Sequence, residues 1–183
     1  MATKYYNFSG RVAYAHLYEP DEFRGVKRWK LSFYPDNVEE VKKAGIQLEP
    51  KEDTGEFSGV DGTYFTFRRP VSREIKGEEV RFTPATITTP NGDVLVGWHI
   101  DDNGDMIRYV SDDFKREDGS PKLIGNNSKI ILNVCVYDTA GYGKGNRFES
   151  VKVVDLVEYE PPVKNSENDT VVKEKGEKID APW

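Results

Sequence analysis

The chain has 183 residues, of which 37% are apolar and 32% charged, and its formal net charge is −6. No apolar run approaches the roughly 20 residues that span a membrane, and no apolar segment follows Lys4 as in a secretory signal, so we expect a cytoplasmic protein without a membrane partner. The single cysteine, Cys135, excludes a disulfide framework and a zinc site of paired cysteines, and its apolar surroundings predict burial.

Strand signals dominate the chain. Short runs of β-branched and aromatic residues, separated by Gly, Asn, Asp and Pro, predict strands over 10–18, 26–34, 63–69, 94–100, 129–138 and 147–159. One helical pattern covers 36–44, where Asp36 or Asn37 can cap the start and Gly45 ends it. The dipeptides at 91–92 and 103–104, both Asn-Gly, favour hairpin turns. The sequence therefore predicts an all-β protein with one short helix.

The composition changes after Tyr159. Residues 161–183 carry five acids and four lysines, a side-chain balance of −1, with two adjacent prolines and few large apolar residues. Such a segment cannot bury enough surface to offset the entropy of ordering. We therefore expect one domain over 1–160 and a flexible tail over 161–183. Its last residue, Trp183, either docks another protein or packs back on the domain.

Alternation within three predicted strands sorts their side chains onto two faces. The first face predicts a core of Trp29, Leu31, Phe33, Thr63, Phe65, Phe67, Ala13, Ala15 and Leu17. The opposite face would carry Arg28, Lys30, Ser32, Tyr34, Tyr64, Thr66, Arg68, Tyr14, His16 and Tyr18. Cations that follow phosphates, beside rings that stack on bases, bind single strands without sequence preference. A second apolar alternation, Val94, Val96, Trp98 and Ile100, also predicts core.

Few residues could support catalysis. Only His16, His99 and Cys135 supplement the carboxylates, and there is no GxSxG elbow, P-loop or HExxH helix. The acids at 101, 102, 105, 112 and 113 could hold magnesium as in a nuclease, but acids in turns are more often simply solvated. The segment that begins at Asp101 resembles a calcium loop but lacks its glycine, and a polar hairpin turn explains it more simply. We expect no catalytic residue, no metal and no cofactor.

The order of these segments resembles the replication-type single-stranded-DNA-binding proteins of tailed phages. RGVKRWKLSFYPDN is similar to the early strand of that family and its exit into a helical insertion, and DGTYFTFRRP is similar to the strand that follows. PKLIGNNSKIILNVCVYD and FESVKVVDLVEYEPP are similar to the last two strands. The resemblance implies an OB-fold-like β-barrel of five to six strands with an inserted helix or loop.

The resemblance also implies a function: sequence-tolerant binding of single-stranded DNA in phage replication, recombination and repair, in the cytoplasm of the bacterial host and without a cofactor. The binding surface of the family would fall on Arg28, Lys30, Tyr34, Tyr64, Arg68, Tyr137 and Tyr142, which Tyr14 joins by strand alternation. Trp183 would dock a phage DNA polymerase or a helicase-primase, and the chain could form homo-oligomers. The tails of the family are acidic, whereas this tail is nearly neutral, which puts competition between tail and DNA in doubt.

Two alternatives stay open at this point. A β-barrel adaptor would bind another protein through Trp183 and exposed aromatic residues without touching nucleic acid. A metal-dependent nuclease would use Asp102 and Asp105.

Overall fold

The structure, a computed structural model, describes residues 3–160. The strands in this range are β1 Lys4–Phe23, β2 Val26–Pro35, β3 Lys51–Thr54, β4 Asp61–Pro70, β5 Ser72–Ile75, β6 Glu78–Arg81, β7 Thr86–Thr88, β8 Val94–Ile100, β9 Met106–Val110, β10 Leu123–Ile124, β11 Ser128–Asp138, β12 Lys144–Asp155 and β13 Glu158–Tyr159. The helix α1 covers Val38–Lys43, and one 3₁₀ turn covers Asp112–Phe114. The predicted all-β class with one short helix is confirmed.

The main sheet contains nine strands in the order β3-β4-β2-β1-β11-β12-β7-β8-β9. Five of them, β4-β2-β1-β11-β12, form the β-barrel that the family resemblance implies: β1 pairs with both β2 and β11, and β4 returns alongside β12. The insertion between β2 and β4 consists of α1 and β3. Parallel pairing of β7 with β12 then extends the sheet beyond the barrel through the two predicted Asn-Gly hairpins.

Local sequence signals explain the helix and its ends. The side-chain oxygen of Asn37 accepts a hydrogen bond from the backbone N–H of Glu39 at 3.1 Å, which satisfies one of the donors at the start of α1. Gly45, at φ +85°, ends the helix in the left-handed conformation that glycine adopts without strain. In the residues that the structure describes, no helix is long and apolar enough to cross a membrane.

The core lies inside the barrel. Trp29, Leu31, Phe33, Phe65 and Phe67 are all buried there, as strand alternation predicts. Burial of such side chains contributes about 1.5–3 kcal/mol each.

The second apolar alternation is only partly buried. Val96 is in the core, whereas Val94 and Ile100 are exposed, because β8 and β9 lie beyond the closed part of the barrel. The predicted tail and Trp183 lie outside the described residues, so the division of the chain at residue 160 stays a prediction.

A buried arginine bridges the seam of the barrel, where β4 and β12 run side by side without a β-ladder in the described range. The Arg69 guanidinium is 5% exposed, and it donates to the carbonyl oxygens of Thr83 (2.6 Å) and Phe148 (3.1 Å). It also pairs with Glu149 at 3.2 Å. Glu149 in turn accepts from Arg147 at 2.9 Å and from the buried thiol of Cys135 at 3.1 Å. The side chain of Arg69 therefore replaces the missing ladder.

We predict that Arg69→Ala lowers the free energy of unfolding by about 3 kcal/mol, because it leaves the carbonyl groups of Thr83 and Phe148 without their donor and removes one of the two arginines that pair with Glu149. Urea denaturation followed by circular dichroism measures this. Arg68→Ala is the matched control, since the neighbouring Arg68 is exposed and should change stability little. Equal midpoints for the two variants would contradict the role of Arg69 at the seam.

Candidate nucleic-acid interface

The outer face of β1, β2 and β4 collects most of the predicted binding residues. Cross-strand pairing places Lys30 of β2 between His16 of β1 and Arg68 of β4, and we call these three residues the basic row. Two positions further along β2, Ser32 lies opposite Thr66 and forms a floor of small polar side chains. Residues that pair across strands share one face of the sheet.

Beyond the floor lies an aromatic row. The rings of Tyr34 on β2 and Tyr64 on β4 are 5.1 Å apart. Cations flank the two tyrosines, because Arg11 of β1 pairs with Tyr34 and Lys51 of β3 pairs with Tyr64. Sequence patterning missed both residues, since the alternation predicted for β1 puts Arg11 on the inward face with Ala13, and Lys51 lies outside the predicted strands.

A β-bulge in β1 decides which side chains face this groove. Ala13 pairs with Ser32 and His16 with Lys30, so β1 contains one residue more than β2 between these two pairs. Tyr14 takes up the bulge at φ +51°, and its backbone N–H donates to the Asn126 side chain at 2.8 Å.

Because of the bulge, the inward and outward positions predicted for the first part of β1 are wrong. Ala13 was expected in the barrel core with Leu17, but it is buried on the outer face against Tyr34 and Val60. Val12 takes the core position instead. The physical reason is that one inserted residue reverses the inward and outward positions along a strand.

Tyr34 does not face solvent, which corrects its predicted role as an exposed stacking plate. It is 4% exposed and packs against Ala13 and Val60, with Tyr14 and Tyr64 around it. Its hydroxyl donates to Asp53 at 2.5 Å. Burial, followed by the hydrogen bond to Asp53, raises the pKa of Tyr34. Tyr34 is therefore the buried member of the aromatic row and supports the ring of Tyr64 from below.

Asp53 organises the loop that covers Tyr34. Besides the tyrosine hydroxyl, its carboxylate accepts from the Ser58 hydroxyl (2.6 Å) and the Gly55 backbone N–H (2.8 Å). Asn126 then donates to the carbonyl oxygen of Ser58 at 3.0 Å and, as described, accepts from the backbone of Tyr14. One continuous network thus fixes the bulge, the loop and the buried tyrosine. The sequence held no signal that Asp53 meets Tyr34, because that tyrosine lies on another strand.

A small pocket of about 180 Å³ lies on this face, between the basic and aromatic rows. It is lined by Tyr14, His16, Lys30, Leu31, Ser32, Tyr64, Thr66 and Arg68. Four predicted binding residues, Tyr14, Lys30, Tyr64 and Arg68, therefore meet at one place. Arg28 lies on the same face of β2, beside the pocket and opposite Pro70.

The cations that line the pocket differ in how accessible they are to a bound anion. Lys30 forms a 2.9 Å ion pair with Asp21, while Arg68 is exposed and forms no ion pair within residues 3–160. Burial lowers the pKa of His16, an effect that Asp21 opposes and Lys30 reinforces. His16 is therefore a neutral member of the basic row near pH 7. Arg68 is therefore the most accessible cation of the basic row.

Lys30 and Tyr34 do not lie side by side along one track. Lys30 and Tyr34 are four residues apart on the same strand, which separates the basic and aromatic rows by about 13 Å. Lys30 and Arg68 thus lie in one row, and Tyr34 and Tyr64 lie in a second, parallel row, with the floor of Ser32 and Thr66 between them.

Two other predicted residues lie elsewhere. Tyr137 packs its ring over Gly145 near the far end of β11, and Tyr142 is exposed in the following turn. Eight residues of β11, about 27 Å, separate Tyr137 from the groove end of that strand at Lys129. The structure therefore does not bring Tyr137 or Tyr142 to the pocket.

The acidic segment around 101–105 forms a hairpin turn, as the simpler interpretation holds. The Asp101 carboxylate accepts the backbone N–H groups of Asn103 (2.9 Å) and Asp105 (2.8 Å). Between residues 3 and 160, no three or more His, Cys, Asp or Glu side chains are grouped to hold a metal ion.

We predict that Asp53→Asn destabilises the protein at pH 7. Hydrogen bonds from Ser58 and Tyr34 lower the pKa of Asp53 below its ordinary value of 3.8. The stability they provide is therefore present above that value and is lost as the pH falls through the lowered pKa.

Urea denaturation between pH 7 and pH 2 measures the free energy of unfolding of both proteins. The difference in this free energy between wild type and Asp53→Asn should become smaller as the pH falls toward 2. Glu56→Gln is the control, because Glu56 is an exposed acid on the same loop. A difference that stays constant with pH would contradict the assignment.

Comparison with known proteins adds a structural likeness. No family model matches the chain, and no curated protein matches it. The fold is similar to the crystal structure of gp2.5, a single-stranded DNA binding protein encoded by bacteriophage T7, with a TM-score of 0.49 and 18% sequence identity. That match covers 94% of this chain and 95% of the other.

Proposed function

We propose that the protein binds single-stranded DNA without sequence preference, in the groove between the basic and aromatic rows. One observation carries the proposal: the pocket brings Arg68 and Lys30 to one side of a polar floor, and Tyr14 and Tyr64 to the other. Cations bind phosphates, and aromatic rings accept the face of any base, so this pairing suits a strand whose bases are unstacked.

The two rows suggest how the strand lies. Phosphates would follow the basic row, and bases would reach across Ser32 and Thr66 toward Tyr64 and Tyr14. The small side chains of the floor leave room for a nucleotide, whereas Tyr34 holds Tyr64 in place from below. A duplex does not offer unstacked bases to these rings, which favours single strands over double strands.

The net charge of −6 limits affinity rather than preventing it. Distant acids repel a polyanion weakly at physiological salt, because charges separated by more than about 8 Å are screened. Asp21 acts at short range, since its ion pair with Lys30 occupies the ammonium group that a phosphate would contact. We therefore expect moderate affinity with a clear dependence on salt.

The finer expectations rest on the sequence resemblance to phage replication proteins. It supports a role in phage DNA replication and recombination in the host cytoplasm, without catalysis. Docking of a replication partner through Trp183 belongs to the same proposal and concerns residues outside the described range. The adaptor alternative depends on the same tail.

We predict that Arg68→Ala weakens binding of oligothymidylate and flattens the dependence of log K on log salt by about 0.7, the value for one lost phosphate contact on a single strand. Tyr64→Ala should weaken binding by about 1–3 kcal/mol at every salt concentration, because stacking does not depend on counterion release. Fluorescence anisotropy of labelled oligothymidylate, titrated at rising salt, measures both effects.

Two variants serve as controls for this titration. Tyr64→Phe keeps the ring and should bind like wild type. Lys115→Ala removes a cation that lies away from the groove and already pairs with Asp112. This variant should leave the slope of log K against log salt unchanged. The proposal is refuted if wild-type protein does not bind at low salt, or if Arg68→Ala and Lys115→Ala behave alike.

We further predict that Asp21→Asn strengthens binding several-fold and steepens the salt dependence. The change removes the carboxylate that competes with phosphate for Lys30 and keeps the shape of the side chain. The same anisotropy titration measures it. Asp61→Asn is the control, since Asp61 is an exposed acid at the far end of β4. Unchanged binding by Asp21→Asn would show that Lys30 does not contact the DNA.

A further inference from the structure

A second polar face adjoins the groove on the other side of β1. Cross-strand pairing aligns the outward positions of β1, β11 and β12. We call this set the second face, and its members are Asn7, Ser9, Arg11, Lys129, Ile131, Asn133, Ser150 and Lys152. None of these residues is fully buried, and Asn7, Ser9 and Lys129 are exposed.

The charge of the second face differs from that of the whole chain. The sequence contains 32 acids and 26 Lys or Arg residues, yet the second face holds three cations, Arg11, Lys129 and Lys152, against one acid at its border, Asp155, which pairs with Lys129 across the strands. Within residues 3–160, none of these three cations takes part in an ion pair. The cations are therefore available to an anion.

The uncharged members of the second face suit the same ligand. Asn7 and Asn133 hydrogen-bond each other at 2.9 Å, and Ser9 and Ser150 add hydroxyl donors. Most contacts between proteins and DNA backbones come from Arg and Lys, supplemented by Ser and Asn side chains. No aromatic residue belongs to the second face, so it offers contacts to phosphates and sugars but none to bases.

Arg11 joins this face to the groove. It pairs with Lys129 of β11 on one side and with Tyr34 of β2 on the other. Its guanidinium donates to Asn127 at 3.1 Å, which uses one of its five N–H donors. A strand leaving the aromatic row therefore meets Arg11 first, then Lys129, then Lys152 on the next strand.

We propose that the second face extends the DNA track, holding the sugar-phosphate backbone of a single strand after it leaves the groove. This inference rests on the proposed function, because it assigns a continuation of the same ligand. It makes a specific claim about length: short oligonucleotides use the groove alone, and longer ones also contact Lys129 and Lys152.

The test compares oligothymidylates of about 4 and about 16 nucleotides, the range of site sizes for one OB-fold. The double variant Lys129→Gln/Lys152→Gln should bind the short oligonucleotide like wild type. Its affinity for the long oligonucleotide should fall several-fold, with a salt dependence flatter by about 1.4, since two phosphate contacts are lost. The matched control is Lys42→Gln/Lys115→Gln, which removes two lysines that already pair with acids elsewhere.

The outcomes separate the two proposals. If Arg68→Ala weakens both lengths and the Lys129/Lys152 variant weakens neither, the extension is overturned and the groove function stands. An equal loss for both lengths in the Lys129/Lys152 variant would also overturn the extension. If wild-type protein binds neither length, the proposed function itself fails. Unfolding curves of both double variants verify that each is folded.

Discussion

The pairing register of β1, β2 and β4 is the constraint on which the proposed site depends. Side chains alternate between the faces of a strand, so a slip by one residue would exchange every core residue with an outward one. The register is held by Leu31 and Phe33 of β2, which enter the core beside Phe65 and Phe67 of β4. With the core residues fixed inward, Lys30, Ser32, Thr66 and Arg68 must face outward together.

Buried polar networks complete what apolar packing begins. Arg69 bridges β4 and β12 where no ladder connects them, and the carboxylate of Asp53 fixes the loop over Tyr34. An unpaired buried polar group costs about 1–3 kcal/mol, so each network favours one arrangement of its strands and loops over others. The first network closes the barrel, and the second places Tyr14 and Tyr64 beside the basic row.

The charge of individual regions of the outer surface differs from the net charge of the chain. An acidic chain presents one row with Lys30 and Arg68 and, beside it, a second face with three cations and one bordering acid, Asp155. Asp21 moderates the first row by pairing with Lys30. Such an arrangement suits reversible binding, because each cation acts only over the short distance at which solvent does not screen it.

The sequence by itself determined the strand content, the cap and end of α1, both Asn-Gly hairpins and the inward faces of β2 and β4. These features depend on neighbours within a few residues or on a strict period of two, which a linear pattern records. It also predicted that Arg68, Lys30, Tyr64 and Tyr14 face away from the core, because each shares a strand with core residues that point the other way.

Only the tertiary structure decided which of these residues meet. The bulge at Tyr14 depends on Asn126, more than a hundred residues away, and the burial of Tyr34 depends on a loop that Asp53 organises. Pairing between strands brings Arg11 and Lys51 beside the aromatic row and places Tyr137 away from the groove. Contacts of this kind arise from closure of the barrel, and no spacing along the chain encodes them.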